Sequence, residues 1–464
     1  MTFYHALEIN DDQCIGCSRC MKTCPTEAIR IRGGKASINE ARCIDCGRCF
    51  ETCPTKAIFI KQDDFDNIHN YEHSVALVPA VFLSQFSHDT RVSRIYAALK
   101  DLGFRHVFEV ESAAAIYAEA KHRYAREHSD LEPLISSFCP AVVRLIQIKY
   151  PSLVDNIMPI KAPLDISALY AIKVLTDQGI PRSQIGIFYI TPCAAKIAAV
   201  KAPVGEDRSV IDGVINMDSL YNRVFKKIKE QGKDYIFPSL RTPQLSSDAI
   251  LSTLTNGERR ICMAKRSYSI DGLQNVTDFL EKMENDEIEG VQFLELRACD
   301  QSCAGALFSC DNRFLIGERM YLRARKAAER ERNGEMPRDR EMDAEKEYLL
   351  QHVEVEPVHA RSMMILDKDI TKALEKMEKI NSLKGYLPRI DCGICGAPTC
   401  DAFSTDIVEG KACLKECVFY RTHLAEQDRI TTAERTQAMM SVWGSDRIHG
   451  ESPVADNPAS EDEQ

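Results

Sequence analysis

Cys14, Cys17, Cys20 and Cys24-Pro25 follow the spacing Cys-x2-Cys-x2-Cys-x3-Cys-Pro, and 29 residues later Cys43, Cys46, Cys49 and Cys53-Pro54 repeat it. Thr23-Cys24-Pro25-Thr26 is matched by Thr52-Cys53-Pro54-Thr55, and Ala28-Ile29 by Ala57-Ile58, so the segment is an internal duplication. No other feature restricts the possible folds as strongly. Each two-residue gap brings thiolates round a tight loop onto one cubane, while the cysteine before the proline is turned away and reaches the cluster of the other half.

On that reading Cys14, Cys17, Cys20 and Cys53 hold one [4Fe-4S] cluster, and Cys43, Cys46, Cys49 and Cys24 the second. The pattern resembles the bacterial two-cluster ferredoxins; paired zinc knuckles are the alternative, which two prolines in phase disfavour. Between the halves, 29–31 and 36–38 flank Gly33-Gly34, and a short hairpin is expected whose glycines supply the positive φ of its turn.

A chain of 464 residues is too long for one core and suits two or three domains. With 59 basic and 69 acidic residues its net charge is −10. A nucleic acid is therefore not an expected partner, and a basic electron carrier fits better than an acidic one. Residues 1–13 lack an apolar core of signal-peptide length, and no run reaches the roughly 18 apolar residues of a membrane span. The expectation is a soluble cytoplasmic protein, not membrane-bound. In that reducing compartment the 19 cysteines point to metal ligands or catalytic groups rather than disulfides.

Beyond the polar run 62–67 the pattern changes to alternating strand and helix. Residues 75–81 read as a buried strand. Asp89-Thr90 can cap a helix with apolar positions Val92, Ile95, Tyr96 and Leu99, ending at Gly103; 106–110 read as a strand and 113–126 as a helix.

Three apolar runs in this region end in cysteine. Cys139-Pro140 follows 134–138 and precedes a helix that Pro151 closes. Pro192-Cys193 follows 185–191, and Cys299 and Cys303 follow 291–296. Strand ends of α/β sheets are where loops converge on ligands. A lone cysteine is most simply a small buried hydrophobe, but four at three strand ends can close round one metal centre.

These stretches resemble the three signature motifs of the iron-only ([FeFe]) hydrogenases: Thr-Ser-Cys-Cys-Pro, Pro-Cys-x-x-Lys-x-x-Glu, and Glu-x-Met-Ala-Cys-x-x-Gly-Cys. With the ferredoxin region in front, the likeness covers about residues 1–320. It implies an α/β fold, an H-cluster domain of two α/β lobes, preceded by an α+β two-cluster ferredoxin domain and followed by a small helical Fe-S domain. It further implies an H-cluster: a [4Fe-4S] cubane on Cys139, Cys193, Cys299 and Cys303, with Cys303 bridging to a diiron subcluster that carries CO, cyanide and a dithiolate. Pro79, in the first core strand, would back the cavity. Lys196 would donate to a cyanide, an anionic partner that can keep a desolvated lysine protonated.

The chain departs from the family at several positions. The thiol that passes protons to the cluster is Phe138, and a phenyl ring can neither donate nor accept them. The glutamate closing the second motif is Ala199, the methionine of the third is Arg297, its glycine is Ser302, and the following glycine run has become Ala306-Leu307. Proton delivery needs groups within hydrogen-bond reach or one water away, so the expectation is slow turnover with waters replacing the thiol, or a site tuned to bind H2. Arg297 either faces the cluster, favouring its reduced state as an uncompensated charge, or faces outward and is ordinary.

After Gly317 the residues 319–340 are dense in Arg and Glu, and 369–379 keep helical spacing at Ile370, Leu374 and Met377; solvated linker helices are expected. Cys392, Cys395, Cys400 and Cys417 then follow Cys-x2-Cys-x4-Cys-x16-Cys, similar to a small [4Fe-4S] module of electron-transfer complexes. Zinc suits four thiolates as well, and Cys413 is an extra nearby thiol that could replace Cys417 as the fourth ligand. Cys262 and Cys310 fit no pattern and read as core residues. The domain expectation is 1–62 ferredoxin, 72–320 H-cluster domain, 321–384 charged linker, 385–425 C-terminal cluster, and 426–464 a polar helix and disordered acidic tail.

No Gly-x-Gly-x-x-Gly follows a strand and no phosphate loop occurs, so electrons are expected from an external carrier such as ferredoxin or a redox partner subunit. Three readings stand: an anaerobic ferredoxin-linked hydrogenase interconverting protons, electrons and H2; a regulator that senses H2 or redox state; and an electron-transfer iron-sulfur protein without the diiron unit.

Overall fold

The computed structural model describes residues 4–231, 245–262, 264–335, 340–361 and 369–448. The chain divides into two compact units. One holds Met1–Leu7, Ile44–Gly47 and Ile60–Met363, and the other Glu8–Cys43, Arg48–Phe59 and Met364–Gln464.

The first unit is mixed α/β with two parallel sheets. Strand Ile185–Thr191 is buried at every position, which is why its apolar run shows no alternation: helices cover both faces of such sheets. It pairs with His73–Val78 on one side and Gly213–Asn216 on the other, and His106–Glu109 pairs with the outer edge of His73–Val78. The second sheet runs Ser267–Asp271, Phe293–Arg297, Leu134–Ile135. Parallel pairing demands crossovers, and helices such as Val92–Asp101, Ala194–Lys201 and Leu273–Glu284 supply them. The two lobes expected from sequence are these two sheets with their helices.

Local readings needed three corrections. The strand expected over 75–81 stops at Val78, because Pro79 offers no N–H to the ladder and instead precedes the short helix Ala80–Leu83. Helix Val92–Asp101 starts from Arg91 without a side-chain cap, since Asp89 and Thr90 lie in a preceding turn closed by Thr90 N–H donating to Ser87 O. Cys310 is exposed rather than in the core, following a loop in which its N–H donates to Gln85 Oε1.

In the second unit, Ile29–Arg32 pairs antiparallel with Lys35–Ile38 through Gly33 and Gly34, both at positive φ (55° and 76°). The duplication is also written in the backbone. Positive φ recurs at Gly16 and Asp45, Ser18 and Gly47, and Glu27 and Lys56, and the short helices Arg19–Thr23 and Arg48–Thr52 correspond.

The C-terminal part of this unit is helical: Ile370–Lys384, capped by Asp369, then Cys400–Val408, Val418–Glu426 and Thr432–Trp443. The polar helix expected from 419 is two helices, broken at Asp428 (φ 51°) and restarted by a capping box of Thr431 and Glu434. Ile31 N–H donates to Gly396 O and Gly33 N–H to Ser441 O, so the hairpin and the C-terminal helices share one unit. The tail 449–464 lies outside the described residues. Among those described, no helix is long and apolar enough to cross a membrane.

Candidate metal centre

Every thiol of the motif region in the first unit sits just past the carboxyl end of a strand. Cys139 follows Leu134–Ile135 and immediately precedes helix Pro140–Lys149; Cys193 follows Ile185–Thr191 and immediately precedes helix Ala194–Lys201. Cys299 and Cys303 follow Phe293–Arg297, across a turn in which Gln301 and Ser302 take positive φ (61° and 51°). Gly305 here has no room for a Cβ, which would meet Asp300 O at 1.9 Å.

The structure brings these four cysteines together. Burial pushes the Cys193 thiol up to about 11, and Cys303 and Cys139 add to the rise through their own charge. Cys299 is raised further, by burial and then by Cys193, Cys139 and Cys303. Thiols that disfavour one another's ionisation in this way are matched to a cationic iron cage, which binds them as thiolates.

Lys196 is the cation of the site, with Nζ 3.7 Å from Cys303 Sγ. Burial works against its ammonium, but Cys303, Tyr189, Cys193 and Cys139 more than offset this and raise it above the ordinary lysine range. Beside it lies a small cavity of about 20 Å³ lined by Pro79, Phe138, Tyr189, Lys196, Thr253 and Cys303 among others. Pro79 and Lys196, the two cavity residues expected from sequence, thus meet there.

Phe138 carries two cations: Lys196 Nζ lies 4.7 Å and Arg297 Cζ 3.6 Å from its ring centroid. Arg297 is 2% exposed, so of the two orientations expected it takes the inward one. Its charge is not uncompensated, however. Nη2 lies 2.9 Å from Glu258 and 3.7 Å from Glu295, which corrects the expectation of a free charge favouring the reduced state.

Sequence reasoning missed this carboxylate network. Glu258 also accepts from Lys121 Nζ and from Ser136 Oγ, both at 2.7 Å, and Ser136 Oγ accepts from Phe138 N–H at 3.2 Å. Burial alone would raise Glu258; Lys121 and Arg297 outweigh it and hold the carboxyl at about 2. The available signal was a Glu-x-Arg pair, Glu295 and Arg297, inside a strand buried on both faces.

Two further clusters of thiols occur in the second unit. Burial drives Cys20 up to about 12, with Cys17, Cys14 and Cys53 as its charged neighbours. Those are the four residues assigned to one cluster from the repeat. An enclosed cavity in the C-terminal part is lined by Cys392, Cys395, Cys400 and Cys417, and Cys395 is pushed up to about 12 by burial and by Cys417 and Cys392. Cys413 is exposed and outside that cavity, whereas Cys417 is buried.

Within the first unit the repeat contributes Ile44–Gly47. Asp45 is fully buried, accepting from Arg144 Nη1, from Ala6 N–H and sharing a hydrogen bond with His5 Nδ1. Cys46 packs on the core that Cys139 and Ala298 also touch. Gly47 approaches Leu307 so closely that a Cβ would meet Leu307 Cδ2 at 2.5 Å.

Residues 72–235 match the family profile for the iron only hydrogenase large subunit, C-terminal domain; 6–54 match a 4Fe-4S dicluster domain, and 387–419 an Fe-S cluster profile. Iron hydrogenase 1 of Clostridium pasteurianum is 25% identical over 211 residues, 44% of this chain and 34% of that protein. The NADP-reducing hydrogenase subunit HndD of Solidesulfovibrio fructosivorans is 30% identical over 113 residues, 22% of this chain and 19% of that protein. The chain therefore spans about a third of the length of the first of these relatives and about a fifth of the second. Among solved structures, a variant of [FeFe]-hydrogenase HydA1 from Chlamydomonas reinhardtii is 16% identical with a TM-score of 0.44, covering 65% of this chain and 97% of that one.

Proposed function

We propose that this chain, whose residues 72–235 match the iron only hydrogenase large subunit profile, belongs to that family and is an iron-sulfur oxidoreductase that interconverts two protons and two electrons with one H2. The observation that carries the reading is a single buried site: Cys139, Cys193, Cys299 and Cys303 from three strand ends, with Lys196 against Cys303 Sγ.

The donor set fits the implied cofactors. Four thiols suit a [4Fe-4S] cubane. Thr253 Oγ1, which lines the adjoining cavity, is buried without a partner, and so are Nε and Nη1 of Arg297 behind the Phe138 ring; such donors suit a group rich in acceptors. Cys303 would hold the diiron subcluster, and Lys196 would donate to its cyanide. That group, when bound, supplies the making and breaking of the H–H bond. The chain's own part is to exclude water, with Pro79, Phe138 and Tyr189 walling the cavity, and to keep a cation at Cys303 Sγ.

Electrons would enter one at a time from an external low-potential carrier, ferredoxin or a partner subunit, and pass through clusters on Cys14, Cys17, Cys20 and Cys53, and on Cys43, Cys46, Cys49 and Cys24. Packing of Cys46 on the core shared with Cys139 supports the last step of that route. A [4Fe-4S] cluster on Cys392, Cys395, Cys400 and Cys417 would extend the chain of carriers. A cytoplasmic, anaerobic setting would suit a chain whose cysteines serve as cluster thiolates.

A second reading, H2 sensing with little turnover, is favoured by Phe138, which fills the position of the proton-passing thiol. Infrared spectra after anaerobic expression with maturation enzymes test both readings. CO and cyanide bands are expected, and their absence leaves only an electron-transfer protein. H2 evolution from a reduced low-potential donor then separates enzyme from sensor.

A further inference from the structure

Glu111, on the short helix Val110–Ala113 after strand His106–Glu109, is fully buried and lines the same cavity as Phe138, Lys196 and Cys303. Its Oε2 accepts from Ala80 N–H at 2.8 Å, and its Oε1 is buried without a partner. A carboxylate with one bare oxygen in an apolar enclosure is costly; the neutral acid, with a proton on that oxygen, is not. Burial and then the charge of Glu109 push Glu111 up to about 8.

Glu109, two residues back and acting on Glu111 through its charge, is itself bonded toward the surface. Both of its oxygens accept from Arg323 Nη2 at 2.7 Å, and Oε1 also accepts from Tyr96 OH at 2.7 Å. Arg323 lies on helix Arg313–Arg332, has a side chain 21% exposed, and lines an open cleft with Arg91, Arg319 and Lys326. The other charged or titratable groups around Glu111 are Lys196, Tyr189 and Cys303 across the cavity, and Asp165 on the helix that packs against Val110–Ala113.

We propose that Glu111 is the group that holds and releases protons at the cavity of Cys303, taking over from the thiol absent at Phe138, with Glu109 and Arg323 as its link to the open cleft. This rests on the hydrogenase reading for its purpose, though not for its geometry. For each H2 evolved, Glu111 twice gives the proton on Oε1 to the group that would be held at Cys303 and becomes a carboxylate; each time one proton from cleft water restores the acid, and the two electrons come from the iron-sulfur clusters. Charge balances, since the carboxylate exists only between each release and the return of a proton, opposite Lys196. No pattern in the motifs marks Glu111: it lies outside all three, on a different strand end.

Infrared titration of the protein carrying its iron-sulfur clusters but no diiron unit tests the proton-holding role by itself. A carboxylic-acid carbonyl band that fades as pH rises through about 8 is expected. It should vanish in Glu111→Gln, and its midpoint should fall by about 1 unit or more in Glu109→Gln, which removes the repelling charge. A wild-type spectrum without that band, or with one unchanged in Glu111→Gln, overturns the proposal. In the fully loaded protein, Glu111→Gln should lower H2 evolution about 100-fold with CO and cyanide bands intact, and Glu111→Asp should recover part of the rate. Full turnover in Glu111→Gln overturns the proposal and leaves the hydrogenase reading standing. Missing CO and cyanide bands in the wild type sink the hydrogenase reading, and the titration still decides Glu111.

Discussion

The guanidinium of Arg297 lies over the ring of Phe138, 3.6 Å from Cζ to centroid, and the same ring has the Lys196 ammonium at 4.7 Å. Phe138 is therefore more than a missing thiol: it is the aromatic surface on which two buried cations rest. A desolvated cation over an aromatic face is stabilised by about 2 kcal/mol. Phe138→Leu, which keeps bulk but loses the π face, and Arg297→Met should each destabilise, and a double-mutant cycle should show coupling of about 1–2 kcal/mol. Additive losses in denaturant unfolding would mean the contact carries no energy.

Restoring the thiol trades that surface for a proton carrier. Phe138→Cys is expected to raise H2 turnover per loaded site while lowering stability by about 3–5 kcal/mol through the cavity it opens. Turnover normalised to CO-band intensity is the measurement. A rate equal to wild type would mean that a second proton route past residue 138 adds nothing to the one through Glu111.

Much of this site was legible in the sequence because metal ligands need fixed spacing and strand ends punctuate apolar runs. Cys139, Cys193, Cys299 and Cys303 and the repeat that supplies Cys20 and Cys53 could be assigned on those grounds. Glu258 could not, because its partners Lys121, Ser136 and Arg297 are distant in sequence and meet only when the second sheet forms. Whether Arg297 faced in or out was likewise decided by a carboxylate on another segment. Glu111 gave only a faint signal, a Glu-x-Glu at the end of a strand whose neighbours are apolar. The Thr431 capping box was written plainly as Thr-x-x-Glu, and it marks where one expected helix becomes two.

Glu258 sits 1% exposed between Lys121 and Arg297, with side chains 7% and 2% exposed. Removing Lys121 leaves Glu258 with Arg297 and Ser136 but deletes a buried charged hydrogen bond, so Lys121→Met should cost about 2–3 kcal/mol. Replacing both members, Lys121→Met with Glu258→Gln, should cost less than the sum of the two single changes. Equal additive losses in urea titrations would contradict the pairing.

Glu111 makes stability depend on pH with a definite sign. Its carboxyl, at about 8 when folded against an ordinary value of 4.5, binds its proton more tightly in the native state. The stabilisation is complete below pH 4.5 and is lost as pH rises through 8, at about 1.4 kcal/mol per unit between them. Stability of wild type minus that of Glu111→Gln, measured at pH 6 and pH 8, should therefore fall by about 2–3 kcal/mol. A flat difference would show an ordinary carboxylate. Taking the difference removes the contribution of Asp165, which burial pushes up to about 6.

In the second unit, Asp406 accepts from Arg30 Nε at 2.6 Å and Arg32 Nη2 at 3.1 Å, while Arg32 Nη1 donates to Cys395 O at 2.7 Å. Asp406 stands on helix Cys400–Val408, and Arg30 and Arg32 on the hairpin, so one carboxylate ties the repeat to the C-terminal helices. Asp406→Asn should cost about 2–3 kcal/mol, the loss of a largely buried charged pair. Hydrogen exchange should show the loss concentrated at Ile31 N–H, which donates to Gly396 O. Protection unchanged there would mean the backbone pairing stands without the ion pair.

The same region offers two thiols for one ligand position, and the geometry chooses between them. Cys417 is buried at the start of helix Val418–Glu426 and lines the cavity with Cys392, Cys395 and Cys400, whereas Cys413 is exposed at the edge of the turn Leu414–Glu416. A fourth ligand must reach the same centre as the other three, and a thiol pointing to water cannot do so without refolding that turn. Cys417→Ser should therefore remove one cluster's worth of iron and sulfide from the purified protein, while Cys413→Ser should leave both contents unchanged. Iron and acid-labile sulfide falling together distinguishes a [4Fe-4S] centre from zinc, which carries no sulfide. If Cys413→Ser instead lowers the iron content and Cys417→Ser does not, the ligand assignment is reversed.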